Sequence, residues 1–199
     1  DVYQGSPTSV TMFLSTVPKI AAIALLIRLL IDGLGDLQHY WSDLLMIIAV
    51  LSIALGSLVA LMQSNIKRML AYSTISHIGF VLLGFVTGVV EGYGAAVFYI
   101  LVYILMSLAA FGSIIVLNKN GFEADQISDY QGLSKHAPWF ALIILVVMLS
   151  MAGVPPFIGF YSKLFILQQV IAEGYVILAV IAVVFAVISA YYYLQIIKT

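Results

Sequence analysis

Residues 152–165 read AGVPPFIGFYSKLF, two adjacent prolines and a lysine inside a run otherwise apolar enough to cross a membrane. The run extends over about 138–172, too long for one straight crossing, which needs roughly 20 residues. A proline in a helix interior removes a backbone hydrogen bond and clashes with the preceding turn, costing about 3 kcal/mol. Irregular backbone is tolerated at membrane depth only when buried in protein or lining a wet cavity. The stretch therefore predicts two half-helices joined at Gly153, Pro155 and Pro156. Such breaks are where transporters build ion sites, from exposed carbonyls and helix ends. Lys163 follows the second proline by about two turns, and the break is expected to let water reach it.

The rest of the chain supports a lipid setting. Of 199 residues, 63% are hydrophobic and 9% charged, with mean hydropathy +1.14; a soluble domain is roughly half apolar and about a quarter charged. Six stretches are long enough to span, at roughly 9–31, 43–62, 69–89, 93–117, 138–172 and 174–197. Their apolar runs are continuous rather than alternating, which argues against a β-barrel. The expected fold is an all-α polytopic transmembrane helix bundle of about six spans with one proline-broken helix, and residues 1–199 read as a single membrane domain. A net charge of −1 gives no basic surface for nucleic acid. With no cysteine, disulfides, thiolate metal sites and iron–sulfur ligation are excluded for this segment. The chain opens on Asp1 with no leader-like pattern, and is expected to be an excerpt of a longer protein.

Charge sorts the connections. Those near 32–42, 90–92 and 173 carry Asp32, Asp36, Glu91 and Glu173 and no Lys or Arg. The alternate ones carry Lys67, Arg68, Lys119 and Lys135, and Lys198 follows the last span on the same side. The positive-inside rule then puts both ends of the chain on the cytoplasmic side. Tyr40, Trp41, Trp139 and the Tyr191–Tyr193 cluster lie near span ends and read as interfacial anchors. The polar loop 118–137 reads as a solvated loop or short interfacial helix.

Three cations remain inside apolar runs: Lys19, Arg28 and Lys163. Arg28, near the end of its span, can snorkel to the headgroups. Lys19 and Lys163 sit about half-way along theirs, where a lysine costs about 2.5–3.5 kcal/mol even on a mild insertion scale. All nine acids lie in loops, at the chain start or at span ends, so neither lysine has a resident counter-ion. Low polarity favours an amine and a neighbouring carboxylate favours an ammonium, so such groups can be loaded and emptied of a proton. His77, in STISHIGF, belongs to the one residue type that ordinarily titrates near neutral pH. It reads as a relay group or as a packed donor. Lys67 reads as a topology signal or as a feeder of a proton path. Ser73, Thr74 and Ser76 read first as helix-packing groups.

Taken together, DVYQGSPTSVTMFLSTVPKIAAIALLIRLL, QSNIKRMLAYSTISHIGF and MLSMAGVPPFIGFYSKLFIL resemble the antiporter-like membrane subunits of NADH:quinone oxidoreductase, respiratory complex I. The likeness runs along essentially the whole chain, and the DVYQGSP opening and AYYYL near the end favour the subunit N branch over its sisters L and M. The resemblance implies a fourteen-helix protein with two inverted repeats, each holding a broken helix, of which this chain would supply helices eight to thirteen. It implies that Lys19 and Lys163 are membrane-centre proton carriers, and that His77 and Lys67 belong to the hydrophilic axis between channels. A further lysine and its glutamate partner would precede Asp1. The family's activity is proton translocation coupled to redox chemistry held elsewhere. NADH, FMN, iron–sulfur clusters and quinone are expected in partner subunits, with other membrane-arm subunits and the lipid bilayer as neighbours. No cofactor is expected on this chain, which lacks a G-x-G-x-x-G fingerprint; the implied location is the bacterial inner membrane. Two other readings stay open: a subunit of a multi-subunit sodium/proton antiporter, and a structural scaffold whose polar groups only fix packing.

Overall fold

The computed structural model describes residues 2–118 and 124–199. Asp1 and Lys119, which entered the charge argument, lie outside the described residues. A single-turn hook, α1 (Val2–Gly5), leads into α2 (Thr8–Ile27), which continues in wider π-helical turns over Arg28–Gly33. Three long helices follow, α3 (Gln38–Leu61), α4 (Ile66–Val86) and α5 (Val90–Leu117). A 3-10 turn (Ile127–Tyr130) and the short α6 (Leu133–His136) occupy the polar loop. The predicted long run is two half-helices, α7 (Pro138–Ala152) and α8 (Ile158–Ala172), and α9 (Val176–Lys198) closes the chain. Five of these helices are long and apolar enough to cross a membrane, with α7 and α8 the shorter apolar pair. The protein is a multi-pass helical membrane bundle.

Two boundaries differ from expectation for a visible reason. The second span starts at Gln38 rather than 43, because a 3-10 turn at Gly35–Leu37 feeds directly into the helix and Trp41 Nε1 donates to the Leu34 carbonyl at 2.9 Å. The third starts at Ile66 rather than 69, because Asn65 is its N-cap and accepts from the Arg68 N–H at 3.0 Å. Asn65 also donates to Asp125 at 2.8 Å, while Ile66 N–H donates to the Asp125 carbonyl and Ile127 N–H to that of Ser64. The polar loop is thereby stitched over the start of α4 rather than left in solvent. Within it Tyr130 is buried and donates to the Ala124 carbonyl at 3.1 Å. Burial, then Asp129 and Asp125, push that phenol above its ordinary range, so it stays a donor.

The spine of the bundle is α4, which is mostly enclosed, whereas α2 is mostly exposed on the outside. It packs on α2, α3, α5 and α8, while α9 lies against α3 and α7. The approach of α3 to α4 depends on two glycines. A Cβ at Gly56 would stand 2.5 Å from the Ser76 nitrogen, and one at Gly79 would stand 2.9 Å from the Ala49 carbonyl oxygen. The outward faces are apolar, as with Leu25, Leu105, Ile177 and Val187, and lipid is the solvent that suits them.

The ends of the helices segregate as the charges do. Val2–Gln4 lie beside Arg68, and Gln63 and Ser64 lie beside Gln126–Ser128 and Gln195. Gln38 lies against Gly88 at the opposite end. Arg28 is exposed at the start of the π-helical turns.

Candidate functional site

The break between α7 and α8 is a closed hydrogen-bond account. A helix ends with four carbonyls lacking intrahelical partners, here Leu149, Ser150, Met151 and Ala152. Gly153 N–H serves the Leu149 and Ser150 carbonyls at 3.2 and 3.0 Å, and Val154 N–H also serves Leu149 at 3.1 Å. The donors that Met151 and Ala152 would meet four residues on belong to Pro155 and Pro156, which have no N–H. Lys163 Nζ supplies both, donating to Met151 O at 3.2 Å and Ala152 O at 2.9 Å. The Pro155–Pro156 peptide is cis.

Lys163 was expected two turns beyond the break. Its side chain instead leans back toward the N-terminus of α8, as helical side chains do, and puts its nitrogen at the break itself. Gly153 makes this possible twice over. Its φ of +82° gives the left-handed helix end, and a Cβ there would lie 3.0 Å from Lys163 Cδ. Gly159, whose added Cβ would collide with the Ser150 carbonyl oxygen, lets α8 close on α7. Its N–H donates to Ser150 Oγ at 3.2 Å.

Lys19 is half-buried on α2, and its partners are hydroxyls. Its Nζ donates to Thr74 Oγ1 at 3.3 Å and to Tyr103 Oη at 3.2 Å, with the Tyr103 ring centroid 4.8 Å away. Thr74 and Tyr103 are themselves bonded at 2.6 Å, and Thr74 also donates to the Leu70 carbonyl. One turn along α4, His77 is buried between two phenols, Nδ1 2.8 Å from Tyr99 Oη and Nε2 3.1 Å from Tyr193 Oη. Its ring centroid is 4.8 Å from that of Tyr103. A neutral imidazole donates through one nitrogen and accepts through the other, so one phenol donates while the other accepts. Exchange of tautomers reverses both bonds without moving a heavy atom.

One further turn along α4, Phe80 stacks on Tyr99 (6.0 Å, 7° between planes), and Lys163 Nζ stands 5.6 Å from its centroid. Thr74, His77 and Phe80, spaced by three, thus form one stripe on α4, with Lys19 at one end and Lys163 at the other. The axial reach is about 9 Å at the α-helical rise. Lys67 is fully buried in the first turn of α4, seven residues before Thr74 and on the same face.

The structure thus brings Lys19, His77 and Lys163 onto one stripe, with Gly153, Pro155 and Pro156 shaping the Lys163 end. Three partners were missed in the sequence: Tyr99, Tyr103 and Tyr193. Tyr193 was assigned to an interfacial belt with Tyr191 and Tyr192. Tyr191 is exposed, but Tyr192 and Tyr193 are 3% and 0% exposed, and the Tyr193 hydroxyl meets His77 of α4 rather than the headgroups. The i, i+4 spacing of Tyr99 and Tyr103 was the available signal, since it sets two hydroxyls on one face.

A helix interrupted inside a polytopic bundle, with buried ionisable groups strung along its most enclosed neighbour, is the kind of architecture in which transporters build ion sites. The comparisons narrow the class. The chain belongs to the NADH:quinone oxidoreductase/Mrp antiporter transmembrane family, whose model matches residues 1–189. It is 73% identical over its full 199 residues to the NADH-quinone oxidoreductase subunit N of Ruthia magnifica subsp. Calyptogena magnifica, and spans 41% of that protein's length. It superimposes on a chain of respiratory complex I from Thermus thermophilus with bound aureothin at TM-score 0.83 and 34% identity, covering 99% of this chain and 43% of that one. Against a chain of the Mrp complex from Dietzia sp. DQ12-45-1b the TM-score is 0.85 at 27% identity, covering 95% and 35%. The chain thus spans about two fifths of the curated relative it matches.

Proposed function

We propose that this chain is part of a proton-translocating membrane-arm subunit of a bacterial NADH:quinone oxidoreductase, seated in the inner membrane. The observation that carries the reading is the α4 stripe: two lysines whose hydrogen-bond partners are neutral oxygens, joined through Thr74, Tyr103 and His77 and separated at the Lys163 end by Phe80. In this reading a proton arriving at Lys19 passes through the hydroxyls of Thr74 and Tyr103 to the vicinity of His77. Tautomer exchange at His77 hands it between Tyr99 and Tyr193, internal water carries it past Phe80, and Lys163 takes it up and delivers it onward from the helix break. Lys67 feeds the stripe from the positively charged end. The redox work, with NADH, FMN, iron–sulfur clusters and quinone, belongs to partner subunits, and charge movement there drives the lysines. The 73%-identical relative named as subunit N supports this assignment.

The test is Lys163→Ala in the complete complex, assayed in inverted inner-membrane vesicles. The expected result is an assembled complex that still oxidises NADH but moves fewer protons per electron. An undiminished proton-to-electron ratio would remove Lys163 from the relay. A second reading, a subunit of a sodium/proton antiporter, is favoured by the likeness to the Dietzia Mrp complex. It predicts sodium-dependent transport with no NADH oxidation in the same particle.

A further inference from the structure

The two prolines of the α7–α8 break take away two donors, and a side chain replaces them. Pro18 poses the same problem in α2, one residue before Lys19. The carbonyl it deprives of an N–H is that of Leu14, four residues earlier. Tyr3, from the α1 hook, donates its hydroxyl to Leu14 O at 3.2 Å. Proline is tolerated in spanning helices when a neighbour satisfies the carbonyl it strands, and here the neighbour is a phenol eleven residues upstream.

Tyr3 is held for this purpose by contacts of its own. Thr11 Oγ1 donates to the Tyr3 carbonyl at 3.0 Å and is bonded to Ser6 Oγ at 2.8 Å. The Tyr3 ring meets Phe111 of α5 edge-on, with centroids 6.5 Å apart and planes at 80°. The hook is therefore pinned to α2 at its backbone and to α5 at its ring, and the hydroxyl reaches into the proline kink. We propose that Tyr3 is a positioning residue for Lys19, supplying in place of the missing Pro18 N–H the bond that fixes the turn carrying the lysine. The need is geometric. Lys19 Nζ lies 3.3 and 3.2 Å from its two acceptors, near the outer limit of a hydrogen bond. A turn that pivots at Pro18 by a fraction of an ångström loses both.

This inference rests on the reading of Lys19 as a proton carrier, and the experiment separates the two. In the full-length subunit within the intact complex, Tyr3→Phe, Pro18→Ala and the double variant are compared with the parent. Amide hydrogen exchange over residues 14–20 and protons pumped per electron are both measured. Tyr3→Phe is expected to speed exchange about tenfold and to lower pumping at least twofold. Pro18→Ala restores a backbone donor, so the double variant is expected to return both readouts to those of Pro18→Ala alone. Simple deletion of a packing contact gives additive effects with no rescue. Additive effects, or unchanged exchange in Tyr3→Phe, overturn the proposal. If exchange shows the rescue but pumping stays at the parent value in all variants, Tyr3 still fixes the turn, and the role of Lys19 in proton transfer is what falls.

Discussion

Two prolyl sites in this bundle each stand beside a lysine, and they are resolved in opposite ways. At the α7–α8 break the lysine itself replaces the lost donors, so Lys163 is committed to the carbonyls of Met151 and Ala152. At the kink in α2 a tyrosine does that work, and Lys19 is left to bond Thr74 and Tyr103. The difference is chemical. A carbonyl oxygen only accepts, and its direction is set by the backbone. A hydroxyl accepts and donates, and it can reorient. Lys163 is thus bound to fixed dipoles at a helix C-terminus, which favour positive charge, whereas Lys19 is bound to groups that can pass hydrogen on.

The comparison can be broken hardest at Gly153. Alanine there forces a Cβ into a φ of +82°, at a cost of roughly 1–2 kcal/mol, and presses on Lys163 Cδ at 3.0 Å. Loss of the two Lys163 bonds would add to this. The expected outcome is a clear fall in the thermal midpoint of the assembled complex and a fall in pumping, both read against Gly112→Ala, where an added Cβ meets nothing within 4 Å. Equal pumping in Gly153→Ala would show that the carbonyl cradle is dispensable.

A smaller effect sharpens the Lys19 side. Tyr103→Phe keeps the ring under the amine but removes one of its two acceptors and the partner of Thr74. The stability cost is expected near 1 kcal/mol, with pumping lowered, because a chain of hydroxyls loses a member. A loss of stability alone, with the proton-to-electron ratio intact, would make the Lys19 cluster a packing device.

The smallest change is a control. Trp41→Phe removes a bond to the Leu34 carbonyl at the acidic end, distant in sequence from both lysine clusters. With Trp41 only partly buried, it is expected to cost about 0.5 kcal/mol, the low end for one hydrogen bond, and to leave pumping unaltered. A pumping defect there would mean that any local loosening impairs the bundle, and the contrast between the two sites would lose its force.

The break, both lysines and His77 were legible in the sequence because each is a chemical anomaly in an apolar run. Proline lacks a donor, lysine carries charge and histidine titrates, so composition exposes them. Tyr99, Tyr103 and Tyr193 were hidden for the opposite reason: a tyrosine is mostly ring and raises no alarm among leucines. Tyr193 was further disguised by its place near a span end, where belts are common, although its hydroxyl faces His77. The reach of Lys163 back to the break was also unread, since counting residues from Pro156 locates a Cα and not an amine. The stitching of loop 124–127 to residues 64–66 joins segments sixty residues apart, which no local pattern announces.

The glycine contacts between α3 and α4 carry a mechanical consequence. With backbone touching backbone at Gly56 and Gly79, neither helix can slide past the other without first being lifted away. Close backbone packing of this kind holds the two helices in register, so α3 and α4 are expected to move as one body in any rearrangement of the bundle.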